Sequence, residues 1–123
     1  MIKLITIIKA KWVLCTLTIL VGITILSLWP LGELPSVPGS DKTHHLIAYT
    51  LLMLPTALRK PDHWKLYGLL FIAYGGAIEL LQPYVNRYGE SIDMLTNTAG
   101  VLCGLIIAEI INYFVSTKDK SSE

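Results

Sequence analysis

Charge and cysteine are what this chain has little of. Of its 123 residues only 15% are charged, while 53% are hydrophobic. That balance excludes an ordinary soluble domain of this size, and the length excludes two domains. The formal net charge is +1, so no basic excess points to a nucleic-acid partner. The two cysteines, Cys15 and Cys103, each stand alone inside an apolar run. Without paired spacing they suggest neither a disulfide framework nor a zinc site, and each reads as a small hydrophobe. No G-x-S-x-G segment marks a nucleophile, and no cofactor motif is present.

What is there is a set of long apolar runs. The first, 12–29, holds 18 residues without a charge and has Trp12 and Trp29 at its ends. At about 1.5 Å per residue it is about 27 Å long, enough for the hydrocarbon core of a bilayer. Lys3, Lys9 and Lys11 precede it, as in a signal peptide. The run is too long for such a segment and no small-x-small site follows, so an uncleaved first helix is expected. Pro30 and Gly32 end it. A Pro- and Gly-rich loop, 31–40, leads to a second helix, 42–58, capped by Ser40 or Asp41, with Pro55 near its far end. A charged turn, 59–63, precedes a third helix, 64–82, which Pro83 ends. After a polar loop, 84–91, a fourth helix runs over 92–115 and leaves a polar tail, 116–123. The expected fold is an all-α transmembrane bundle of four helices in a single domain.

Basic residues orient it. With the N-terminus cytoplasmic, the inner side carries Lys3, Lys9, Lys11, Arg59, Lys60, Lys65, Lys118 and Lys120, and the outer side only Lys42 and Arg87. Eight against two is a positive-inside bias that places both termini in the cytoplasm, in a bacterial plasma membrane as the resemblance below implies.

The polar residues then gather at the outer end. Asp41, His45 and Tyr49 are spaced by four and share a helical face, with Lys42 adjoining it. Glu79 and Gln82 share a face one turn from Pro83, and Glu79 is the only charge between Lys65 and Arg87. Gly75 and Gly76, one turn earlier, leave room for another helix. Asp93, Asn97, Gly100, Gly104 and Ala108 form one stripe, polar outside and small further in. Tight packing at Gly100 and Gly104 turns Asp93 and Asn97 toward the bundle interior. Each residue has a plain alternative. His45 and Tyr49 suit an interfacial belt, Glu79 can reach water, Arg87 can be a solvated loop residue, and Asp93 can cap its helix. Charges in apolar surroundings are costly unless paired, so three polar faces at one end are expected to converge. His44 lies on a different face and is left out.

This pattern resembles the VanZ-like family of small bacterial membrane proteins. The matching residues are Asp41-Lys42-x-x-His45-x-x-x-Tyr49, Glu79-x-x-Gln82, Arg87 and Asp93-x-x-x-Asn97-x-x-Gly100, over roughly residues 28–105. Leu46 departs from it, since the family often has an aromatic there. The resemblance implies a multi-pass plasma-membrane protein. The family's namesake is associated with resistance to the lipoglycopeptide teicoplanin, an association of the family only.

Three functions fit. An outward pocket with Lys42 and Arg87 suits an amphiphile with an anionic head, such as a lipid-linked cell-wall precursor, a phospholipid or a lipoglycopeptide. Alternatively, an intramembrane enzyme uses His45 as general base, with Asp41 or Asp93 orienting it, Glu79 as acid partner and Tyr49 or Ser91 as the nearby hydroxyl. A metal is not expected, because only one well-placed histidine is available. The third reading is a polar clasp that ties the helix ends together and holds no ligand. Oligomeric state is not indicated by any motif.

Overall fold

The computed structural model describes residues 2–28, 41–85 and 91–121, with side chains described over 2–28, 43–82, 84 and 94–116. Everything regular in these residues is helical. In chain order they form α1 (Ile2–Ala10), α2 (Trp12–Leu28), α3 (Asp41–Arg59), α4 (Trp64–Leu81), a 3₁₀ turn (Gln82–Val85) and α5 (Ser91–Ser121). Four of these match the expected runs; α1 does not. It covers the residues expected only as a basic flank, and it meets α2 at 81°. No proline or glycine marks that bend, which falls at Lys11.

The helix ends have local causes. Pro83 has no N–H to offer the Glu79 carbonyl, so α4 stops at Leu81 and tightens into the 3₁₀ turn. α3 continues through Pro55 and ends where Lys60 turns left-handed at φ 50°. The Lys60 N–H then closes on the Thr56 carbonyl at 2.8 Å, and Asn112 Nδ2 donates to the Leu58 carbonyl at 3.3 Å. Both bonds satisfy acceptors that the end of a helix leaves open. α5 runs past the expected end at 115 to Ser121, because nothing after Gly104 breaks a helix.

Contacts between side chains fix the directions of the helices. Trp12 meets Tyr67, Thr24 bonds Tyr74 and Gln82 bonds Ser27, so α2 and α4 run the same way. His45 meets Asn97 and Asn112 meets Leu58, so α3 and α5 run together in the opposite sense. α3 touches α1, α2, α4 and α5 and is the most enclosed. Its Tyr49, Leu52, Met53, Thr56 and Ala57 are at most 2% exposed. The other helices present apolar side chains outward, among them Leu14, Val21, Leu69, Leu80, Leu102 and Ile106. Such continuous exposed apolar surface suits lipid. α4 over Trp64–Leu81 and α5 over Met94–Ser116 are long and apolar enough to cross a membrane, and α1 with α2 makes a third candidate if that bent pair is one span.

Candidate functional site

The site is built on the seam between α3 and α5. A β-carbon added at Gly100 would lie 2.8 Å from the Leu46 carbonyl, and one at Gly104 would lie 2.7 Å from the Thr50 carbonyl. The two backbones are therefore in contact, as small residues four apart permit between helices. Thr50 Oγ1 donates to the Leu46 carbonyl at 2.7 Å, which keeps this hydroxyl on its own helix.

One turn toward the start of α5, the close approach brings His45 Nδ1 to 3.0 Å from Asn97 Oδ1. An amide oxygen only accepts, so Nδ1 carries the proton in this pair. In the neutral ring Nε2 is then left as an acceptor. Asn97 is 1% exposed, so the bond is made away from water.

α4 closes the third side at Gly75. A β-carbon there would stand 2.9 Å from Asn97 Nδ2 and 3.0 Å from the Tyr49 hydroxyl. Gly75 thus leaves the space in which Asn97 and Tyr49 reach α4. Gly76, next to it, faces Met94, whose Cε lies 3.2 Å from the same kind of position. Tyr74 and Glu79 are both within electrostatic reach of the Tyr49 hydroxyl. Tyr49 is level with Gly75. His45 and Glu79 each lie one turn, about 6 Å, beyond that level on their antiparallel helices, so they stand at the same height.

Gln82 completes this end. It is 1% exposed, and its Nε2 donates to the Ser27 carbonyl at 3.3 Å. A carbonyl can only accept, so the amide nitrogen must face Ser27. Oε1 is buried without a hydrogen-bond partner among the described residues. Leaving such an acceptor unsatisfied costs about 1–3 kcal/mol.

Of the residues expected here, His45, Tyr49, Asn97 and Gly75 come together, with Glu79 half-buried at the rim and Gln82 one turn beyond it. Asp41, Lys42 and Asp93 stand in the first turns of α3 and α5, but their side chains lie outside the described residues, as does the whole of Arg87. α5 begins at Ser91, so Asp93 is inside the first turn rather than at the cap. Among the described residues no three His, Cys, Asp or Glu side chains gather as a metal site.

Sequence reasoning missed the hydroxyl contacts of α2. Thr24 bonds Tyr74, and Thr16 lies 3.4 Å from Thr56. It named Gly75 and Gln82 but missed the inward stripe of α4 that joins them to Gly68, Phe71 and Ile78, all five buried. The alternating steps of three and four were a readable signal that Gln82, rather than Glu79, lies on the central face. Comparison with protein-family models, with curated proteins and with solved structures finds no match to this chain.

Proposed function

We propose that α2 to α5 each cross a bacterial plasma membrane, with both termini cytoplasmic and the His45 end outward. In this reading the outward end receives the head of a cell-envelope amphiphile, and the chain is a VanZ-like protein. The amphiphile is a lipid-linked precursor, a phospholipid or a lipoglycopeptide. Four crossings are supported by the alternating directions of these helices. α3 has few lipid-facing residues to supply, since its neighbours enclose it, so its polar start does not count against a crossing. The orientation is supported by the excess of basic residues at the Lys60 end.

The observation that carries the ligand reading is the Oε1 of Gln82, buried and without a partner among the described residues, at the same end as the acceptor left on His45 Nε2. Acceptors of this kind suit a head group that carries hydroxyl or amine donors, with Lys42 and Arg87 available by sequence for its anionic part. The exposed Leu80 and Leu81 beside Gln82 give its chain an apolar flank. In the test, the protein is purified in mild detergent and its native mass spectrum recorded. The wild type is expected to retain an amphiphile, and Lys42→Ala with Arg87→Ala to release it. Equal retention by both contradicts the reading.

A second reading is favoured by the His45–Asn97 bond, which satisfies two of the polar groups within the protein. If this end is only a clasp, Glu79→Gln and Asp93→Asn lower thermal stability while no amphiphile is found on any variant.

A further inference from the structure

The helix that no apolar run announces carries a separate inference, at the opposite end from His45. α1 has three sides. Ile5 is buried and Ile8 packs against the core, which fixes one side on the bundle. Leu4 and Ile7 are 59% and 48% exposed, side by side on a second. Lys3 and Thr6, both exposed, occupy the third, where Thr6 turns its hydroxyl back onto the Ile2 carbonyl. A helix dissolved in water has no use for the second side, and a helix that crosses a bilayer has no use for the third. A helix lying in the plane of a membrane surface uses all three.

The angle agrees. α1 meets α2 at 81°, so if α2 stands along the membrane normal, α1 lies almost flat. Its surroundings also match an interface. Trp12 and Tyr67 stack edge to face at 5.7 Å, and Trp64 has Lys60 and Lys65 over its ring at 5.9 and 5.5 Å. Amphipathic aromatic rings of this kind favour the headgroup level. Lys3, Lys9, Lys11, Arg59, Lys60, Lys65, Lys118 and Lys120 belong to this end, against Asp62, Glu109 and Asp119, and Glu109 is already paired with Lys60.

We infer that α1 is an in-plane interfacial helix that docks on an anionic lipid surface, with Leu4 and Ile7 among the acyl chains and the lysines over the headgroup phosphates. The inference rests on the membrane reading but not on any ligand at the His45 end.

The full chain tests it in nanodiscs of phosphatidylcholine, with and without phosphatidylglycerol. Spin labels are placed singly by Leu4→Cys, Ile7→Cys, Lys3→Cys and Thr6→Cys in a Cys15→Ser, Cys103→Ser background. Labels at 4 and 7 are expected to be relaxed by oxygen, which concentrates in lipid. Labels at 3 and 6 are expected to be relaxed by a water-soluble nickel chelate. Four labels that behave alike, all in lipid or all in water, overturn the inference. A second measurement keeps the native cysteines. Replacing Lys3, Lys9 and Lys11 with Gln is expected to lower the preference for phosphatidylglycerol over phosphatidylcholine among retained lipids by roughly fivefold or more. An unchanged preference also overturns it. A lost preference with an intact His45-end amphiphile separates this inference from the ligand reading.

Discussion

The two ends of the bundle treat their polar residues differently. At the His45 end, Asn97 and Gln82 are buried almost completely, and their bonds run between helices. At the Lys60 end, Lys60 and Glu109 pair in the open, with side chains 40% and 58% exposed. There Asn112 donates to a helix-terminal carbonyl. Asn112 also leaves an oxygen buried without a partner, but its nitrogen has a plain task in closing α3. Gln82 has a comparable task, since its Nε2 meets the Ser27 carbonyl in the last turn of α2, and it too leaves an oxygen buried without a partner among the described residues. Each end thus has an amide that finishes a neighbouring helix. The His45 end differs in adding the His45–Asn97 bond, which leaves an acceptor on His45 Nε2 in the neutral ring.

Substitutions break or sharpen this comparison, and the largest effect belongs to the seam that serves both ends. Gly100→Ala and Gly104→Ala force a β-carbon onto a carbonyl of α3. Each is expected to cost at least about 1–3 kcal/mol, the range for overpacking, as read by thermal unfolding in detergent. A small change at either would mean that α3 and α5 are not in backbone contact.

Asn97→Ala comes next. It strips the partly buried His45 ring of its acceptor, at an expected cost of about 1–3 kcal/mol in the same assay. Asn112→Ala at the other end loses one bond near an exposed helix terminus and is expected to cost about 1 kcal/mol. A reversed order would place the structural burden at the Lys60 end.

Gln82→Met separates a site from a clasp. It keeps the shape of the side chain and removes the unsatisfied acceptor together with the bond to the Ser27 carbonyl, two effects of opposite sign, so stability is expected to change by less than about 1.5 kcal/mol while amphiphile retention falls. A loss as large as that of Asn97→Ala, with no change in retention, favours the clasp. The smallest effect is expected from Glu109→Gln. An exposed ion pair contributes under about 1 kcal/mol, and salt weakens it further.

Much of this fold is legible in the sequence, and the exceptions have physical causes. α2, α4 and α5 announce themselves because their outward faces are apolar over their full length. α3 is less evident, with polar residues through Asp41-Lys42-Thr43-His44-His45, because a helix enclosed by its neighbours is not selected for contact with lipid. α1 is not legible at all. Nine residues are too few for an apolar period to stand out, and the turn at Lys11 uses neither proline nor glycine.

The site was legible as faces rather than as pairs. The four-residue step from His45 to Tyr49 and the small stripe of α5 identify which sides turn inward. That Asn97, rather than a carboxylate, orients His45 depends on how closely Gly100 and Gly104 let the helices approach, which is a property of the packed structure. The bond from Gln82 to Ser27 joins residues 55 positions apart, one of them a backbone carbonyl that no side-chain pattern reveals.

The central proposal is that the His45 end holds the head of an amphiphile and that Glu109, at the Lys60 end, has no part in holding it. Native mass spectra of the wild type, His45→Ala and Glu109→Ala, purified side by side in mild detergent, test it most directly. The account predicts a retained amphiphile on the wild type and Glu109→Ala and its loss from His45→Ala, with all three proteins folded. Equal retention by all three, or a wild type that carries no amphiphile, would contradict it.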